Sequence, residues 1–402
     1  MTSPPPSDSA TYFRKGFGLK AEVQAELATY EGRLVDLLRD RDYTLTVGDI
    51  TIRLAREFGF CYGVERAVEY AYQTRRKFPD RRIFLVGEII HNPYVNAKLR
   101  EMGIDILDRG DRPRFDFSAV HAEDVVILPA FGVTIEDFEH LRTVGCILVD
   151  TTCGSVLNVW KRVESYARDG FTALIHGKYY HEETRATASQ VRKYPGGQYL
   201  VVRDMDEARV VIDFIEGDTD ADAILRRFAP HAVSPGFDPQ RDLRKIGVAN
   251  QTTMLARESL AIGEEVGRAM ERAHGAPARA DRFRTFDTIC SATQERQDAV
   301  LELLAEPLDM MVVIGGFNSS NTISLASLCA ERVPTYHIEA VSAIDPERNT
   351  IHVRRAGTAH VEEDVANWLP ASGPVRIGLT AGASTPNNKI EDAIGRILAI
   401  RR

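Results

Sequence analysis

Short, largely apolar runs alternate with longer amphipathic stretches through most of this chain. The apolar runs fall at residues 83–86, 125–128, 146–149, 173–175, 200–202, 246–249, 310–314 and 375–379. Each is bounded by Gly, Pro, Asn or Ser and is followed by a helical pattern; Gly87-Glu88 follows the first and Pro129-Ala130-Phe131-Gly132 the second. Strand, loop and helix in regular alternation predict an α/β fold with mostly parallel sheets.

Before residue 52 the pattern differs. Val23, Leu27, Tyr30, Leu34 and Leu38 recur at helical spacing and predict one amphipathic helix docked on the body, within an N-terminal extension covering 1–51. Residues 1–9 are rich in Pro and Ser and are expected to be disordered. Three α/β modules are expected next, at 52–150, 151–287 and 288–385, with residues 386–402 forming a helix that packs back on the body. The middle module is the longest, and its excess at 216–243, rich in Asp, Pro and Gly, reads as a surface insertion.

Composition narrows the functional classes. At 402 residues the chain exceeds one small core. Its hydrophobic fraction of 44% and charged fraction of 27% are those of a soluble globular protein. The net charge of -8 argues against nucleic acid as a partner, because phosphate backbones demand basic surfaces. The absence of a signal-like stretch or bilayer-length apolar run predicts a cytoplasmic protein with no membrane association. In that reducing compartment, five cysteines point to metal binding or catalysis, not to disulfides.

Three of the five cysteines stand where a helix begins: Cys61 in Gly59-Phe60-Cys61-Tyr62-Gly63, Cys153 in Asp150-Thr151-Thr152-Cys153-Gly154, and Cys290 in Asp287-Thr288-Ile289-Cys290-Ser291. The positive end of a helix favours thiolate. Three thiolates in matching settings suggest one shared site for a soft ligand, zinc or an iron–sulfur cluster. Three protein ligands leave one coordination position open, as catalytic sites require. There is no CxxC pair, which speaks against zinc ribbons and ferredoxin-type carriers. Cys146, in an apolar run, and Cys329, on a helical pattern, read as core.

Polar motifs end several strands. Ile175-His176-Gly177-Lys178-Tyr179-Tyr180-His181-Glu182-Glu183-Thr184 enters a helix, so that His181 and Glu183 can serve as hydrogen-bond partner and acid. The plainer reading is a charged first turn that opposes the helix dipole. Gly315-Gly316-Phe317-Asn318-Ser319-Ser320-Asn321-Thr322 and Thr380-Ala381-Gly382-Ala383-Ser384-Thr385-Pro386 are loops suited to an anion, or to simple helix capping. With His91-Asn92 they point to a doubly anchored anion such as a diphosphate. Asn250-Gln251-Thr252-Thr253 adds another polar strand end.

Taken in order from about Gly59 to Ile394, these motifs resemble the 4-hydroxy-3-methylbut-2-enyl diphosphate reductase family, and Tyr12-Phe13-Arg14-Lys15-Gly16-Phe17-Gly18 is similar to the branch found in oxygenic phototrophs. The resemblance implies three α/β modules arranged pseudo-threefold around a central cluster. It implies that Cys61, Cys153 and Cys290 ligate a [4Fe–4S] centre with one open iron. Glu183 resembles the proton donor, with His181 and Thr252 around it. His91, His181, Thr252, Ser319, Ser320, Asn321 and Ser384 resemble the substrate-binding set. The implied reaction is reductive removal of the allylic hydroxyl, giving isopentenyl and dimethylallyl diphosphate, with ferredoxin or flavodoxin as donor. Ala130-Phe131-Gly132 carries phenylalanine where many members have histidine, so His181 is expected to carry more of the diphosphate contact. Arg75, Arg76, Arg81 and Arg82 could attract an acidic donor, or form a solvated face. Two other classes compete. A hydro-lyase with a three-cysteine cluster would need no reductant, and a cluster-based sensor would not bind an allylic diphosphate.

Overall fold

The computed structural model describes residues 11–110, 112, 114–356 and 361–401; the Pro/Ser-rich stretch 1–9 lies outside them. Two compact units emerge. Of the described residues, one comprises 11–12 and those from 107 to 290, the other those from 13 to 106 and from 291 to 401.

In the first unit, strands Val125–Leu128 and Ile147–Asp150 pair in parallel, Val125 opposite Ile147. Helix Ile135–Val144 joins them. Thr134 caps its start, accepting from the Asp137 N–H, and Gly145 ends it in the left-handed region at φ 81°. A four-stranded parallel sheet follows, ordered Phe283–Thr285, Ile246–Asn250, Thr172–His176, Tyr199–Val202. Its two central strands are buried at every position, which is why they read as continuous apolar runs. Helix Ala256–His274 turns Ile262, Val266, Ala269 and Met270 onto this core. Gly247 is required there: a Cβ would lie 2.4 Å from the Tyr166 ring.

Residues 216–243 differ from the surface insertion expected. They form helices Ala221–Phe228 and Pro239–Asp242, and Ile224, Phe228, Ala232, Val233, Phe237 and Leu243 are buried in the same core. Asp, Pro and Gly dominate the composition but serve as caps and turns; Asp220 and Asp238 cap the two helices.

In the second unit the central strands Thr335–Ile338, Met310–Ile314, Val375–Ala381 and Ile50–Leu54 run parallel. Antiparallel strands flank them: Thr44–Val47 on one side, and Ile344–Asp345, Thr350–Arg354 and Glu362–Ala366 on the other. The last of these alternates exposed and half-buried residues along an edge. Strand Ile83–Val86 lies between helices Tyr62–Lys77 and Pro93–Glu101 in chain order. Helix Asn387–Ala399 buries Ile390, Ala393, Ile394 and Ile397 on the sheet.

The extension contains two short helices, Lys20–Leu27 and Arg33–Arg39, where one was expected. A 3-10 turn at Ala28–Tyr30 and Gly32 at the second N-cap break the continuous pattern. Val23, Tyr30, Val35 and Leu38 are buried, whereas Leu34 is only partly so. Gln73 anchors the chain before them by accepting from the Phe17 N–H at 2.7 Å.

Candidate active site

Within the first unit, a strand end, a loop and a helix start hold the acidic group. His181 is the N-cap of helix Glu182–Ser189, and its Nδ1 accepts from the Glu183 N–H at 3.2 Å. That leaves the ring proton on Nε2. Both side chains are buried. Glu183 Oε1 accepts from the Thr252 N–H at 2.6 Å, and the Thr252 carbonyl accepts from the Cys290 N–H at 3.3 Å. One peptide segment thus joins acid and cysteine. A first turn that merely opposed the dipole would leave Glu183 in water, and it is 3% exposed.

Gln251 sets the loop conformation. Its Oε1 accepts from the Lys178 N–H at 3.1 Å and from Thr184 Oγ1 at 3.0 Å, and its Nε2 donates to Thr253 Oγ1. Burial pushes the Lys178 ammonium down to about 8. It also holds His176, bonded to Ser259 Oγ at 2.8 Å, down at about 4, hence neutral.

Cys153 is the N-cap of helix Gly154–Arg168 without a side-chain capping bond; its N–H donates to the Ala130 carbonyl at 2.9 Å. Asp150 braces the preceding turn. Its Oδ1 accepts from Thr152 N–H and Oγ1 at 2.9 and 2.5 Å, and its Oδ2 accepts from Tyr12 OH at 2.6 Å. Next to Ala130, Phe131 meets the His181 ring edge-on, centroids 6.0 Å apart. Gly132 takes φ +76°, and a Cβ there would lie 2.4 Å from Trp160.

The second unit holds the other candidates. Cys61 is the N-cap of helix Tyr62–Lys77, again without a side-chain capping bond, and its N–H donates to the Ala383 carbonyl at 3.2 Å. Asn321 Oδ1 accepts from the Ala383 N–H at 2.9 Å. Ser384 Oγ donates to the His91 carbonyl at 3.1 Å, Asn92 Nδ2 donates to the Ser384 carbonyl at 2.8 Å, and the His91 ring bonds Glu88 at 2.8 Å. Gly316 presses on this turn: a Cβ would lie 2.5 Å from the His91 carbonyl oxygen. His91, Ser320, Asn321 and Ser384 are therefore drawn into one cradle around the start of helix Ser320–Ala330. Ser319 plays a different part, since its side chain caps that helix by accepting from the Thr322 N–H at 3.4 Å. Among the described residues, two buried polar atoms of the cradle, Ser320 Oγ and Asn321 Nδ2, have no hydrogen-bond partner. Buried donors left unmet in this way mark a place for an acceptor-rich ligand.

The remaining cysteines behave as core. Burial pushes the Cys146 thiol up to about 11 and that of Cys329 to about 12. Arg75 donates to the carbonyls of Gly103, Phe78, Pro79 and Arg81, and Arg76 bonds Glu26, so both belong to the architecture of their helix end. Sequence reasoning missed Arg296, which is 3% exposed on helix Ser291–Leu303 and donates to the Gly59 carbonyl at 2.7 Å. Its signal was an arginine on the same helical stripe as Thr293, Val300 and Leu303.

Comparison with known proteins adds relatives across nearly the whole length. The family model described as "LytB protein" matches residues 52–398. A 4-hydroxy-3-methylbut-2-enyl diphosphate reductase of Gloeobacter violaceus is 49% identical over 402 residues, covering 98% of this chain and 93% of the relative. One of a Synechococcus strain is 48% identical over 398 residues, covering 98% and 97%. A solved Plasmodium falciparum E-1-hydroxy-2-methyl-but-2-enyl-4-diphosphate reductase shares the fold at TM-score 0.62, with 21% identity over 86% of each chain. A second solved structure, titled as (E)-4-hydroxy-3-methyl-but-2-enyl diphosphate reductase, the terminal enzyme of the non-mevalonate pathway, matches at TM-score 0.50, with 27% identity over 86% of this chain and 98% of that one.

Proposed function

The chain belongs to the LytB family, and on that premise we propose that Cys61, Cys153 and Cys290 together ligate one [4Fe–4S] cluster. The enzyme reduces (E)-4-hydroxy-3-methylbut-2-enyl diphosphate to isopentenyl and dimethylallyl diphosphate, the last step of the methylerythritol phosphate route to isoprenoids. The donor set fits the cofactor. The three cysteines are half-exposed, and the capping geometry described at Cys61 and Cys153 leaves their sulfurs unused by the helix. When bound, the cluster supplies electrons singly and one iron as a Lewis acid toward the substrate hydroxyl.

The protein's own groups do the rest. Net reaction consumes two electrons and two protons and releases water. Glu183 delivers the proton that lets the hydroxyl depart as water, and the Thr252 N–H holds its Oε1 in place. The second proton is added at either end of the allylic unit, which yields the two products. Ser320 Oγ and Asn321 Nδ2 donate to the diphosphate, with Ser384, Ser319 and His91 shaping the cradle and His181 and Thr252 contacting the substrate near the acid. Anchoring the diphosphate orients the hydroxyl-bearing end toward Glu183 and iron. Ferredoxin or flavodoxin supplies the electrons, and the cytoplasm is the proposed compartment. Among the described residues no helix is long and apolar enough to cross a membrane.

The observation that carries the reading is the Thr252 peptide, which holds a buried carboxyl and the backbone of a candidate iron ligand at once. The test is anaerobic reconstitution with iron and sulfide, then an assay on the hydroxylated diphosphate with and without reductant. Four irons per chain and strict reductant dependence are expected. Turnover without reductant would mean a hydro-lyase.

A further inference from the structure

Arg296 is a buried cation on helix Ser291–Leu303. Its guanidinium donates to the carbonyls of Gly59 at 2.7 Å, Phe58 at 3.5 Å and Ala292 at 2.8 Å, while Nε has no partner. Among the described residues it forms no salt bridge. Glu65 senses it only through space; burial pushes the Glu65 carboxyl up, and the charges of Lys20 and Arg296 oppose that. A buried charge is costly unless a counter-charge lies close. The carbonyls it grips belong to the turn that presents Cys61, two residues beyond Gly59. That turn is pinned elsewhere too: Gly59 sits at φ +75°, where a Cβ would lie 2.4 Å from Asn387 Oδ1.

We propose that Arg296 is the positioning residue for Cys61 and the counter-charge for the cluster that Cys61 helps to hold. The inference rests on the cluster reading above. An Fe–S core ligated by three thiolates is anionic and becomes more so on reduction, so a fixed cation nearby favours the reduced form. The planar fork, which can donate to several carbonyls at once, explains why arginine and not lysine stands here.

The experiment compares the parent with Arg296→Gln and Arg296→Lys on reconstituted, anaerobic full-length protein. Readouts are iron per chain, the potential from a redox titration followed by absorption and paramagnetic resonance, and the alkylation rate of Cys61 in the cluster-free protein, with Cys153 as internal control. Arg296→Gln is expected to shift the potential negative, on the scale of a tenfold lower reduced-to-oxidised ratio at fixed potential, about 59 mV for a one-electron couple. Its Cys61 should alkylate several-fold faster while Cys153 does not change. Arg296→Lys should keep the potential near the parent's, yet still alkylate faster at Cys61. If Arg296→Gln fails to fold, the lysine variant decides alone: parent-like alkylation overturns the positioning role. An unchanged potential in a folded Arg296→Gln that holds full iron overturns the counter-charge role and leaves the cluster reading intact. A parent that takes up no iron overturns the cluster reading, and this inference with it.

Discussion

The region around Glu183 and the cradle around Ser320 treat their buried polar atoms in opposite ways. Around Glu183, bonds are already made: the carboxylate accepts from Thr252, His181 caps the helix, and Gln251 ties three groups together. Around Ser320 and Asn321, buried donors stand without partners. A buried polar group that lacks a hydrogen bond is destabilising, so the cradle carries a cost that the proposed diphosphate would relieve on binding. The acid is instead preorganised and needs no ligand to hold its position. On the proposed reading, positioning belongs to the first region and recognition to the second.

The largest expected effect tests whether the half-exposed cysteines differ from the buried ones. Cys153→Ser should abolish iron retention and turnover, whereas Cys146→Ala should keep full iron and lose only about 1 kcal/mol of stability. Iron analysis beside denaturant melts distinguishes them; equal iron in both variants would remove the contrast.

Glu183→Gln comes next. Glutamine keeps an oxygen for the Thr252 N–H but lacks the acidic proton, so fold, iron and substrate affinity should persist. Single-turnover rates should fall by roughly 10²–10⁴. A variant within a few-fold of the parent would reassign the proton donor.

Burial holds a histidine of each unit neutral, His176 in the first and His337 in the second, both at about 4. The unfolded chain binds a proton below about 6.5 and the folded chain does not until about 4. Stability is therefore complete above 6.5 and falls as pH drops toward 4, by roughly 3 kcal/mol for each residue at most. Denaturant melts across that window should show a shallower slope in His176→Gln and in His337→Gln than in the parent. An unaltered slope would show that the ring does not titrate as described.

The smallest effect separates recognition from stability. Ser320→Ala removes an unmet buried donor, so the melting temperature of the ligand-free protein should hold or rise. Diphosphate affinity should weaken by roughly 10- to 100-fold, the worth of a hydrogen bond to a charged group, about 1.5–3 kcal/mol. Isothermal titration on the reconstituted enzyme measures it. Lowered stability with unchanged affinity would make Ser320 structural.

Much of this was legible along the chain because buried parallel strands write themselves as unbroken apolar runs. The strands at 83–86, 125–128 and 310–314 match their expected bounds, and those near 173, 200, 246 and 375 extend them by one or two residues. The antiparallel flank escaped notice, since Glu362–Ala366 carries three acidic residues and signals its place only by pairing with Thr350–Arg354. Residues 216–243 misled for the opposite reason: Phe228, Val233 and Phe237 are too irregularly spaced to announce a buried segment.

The primary structure alone determined the alternation of elements, the family, and the distinction between cysteines at helix starts and cysteines in apolar stretches, because periodicity and residue chemistry are local. Tertiary structure alone decided that Ile50–Leu54 pairs with Val375–Ala381, that Thr252 links Glu183 to Cys290, that Ser320 and Asn321 keep unmet donors, and that Arg296 grips the Cys61 turn. Those facts depend on partners up to hundreds of residues away, and hydrogen-bond satisfaction exists only once the chain has closed around each group.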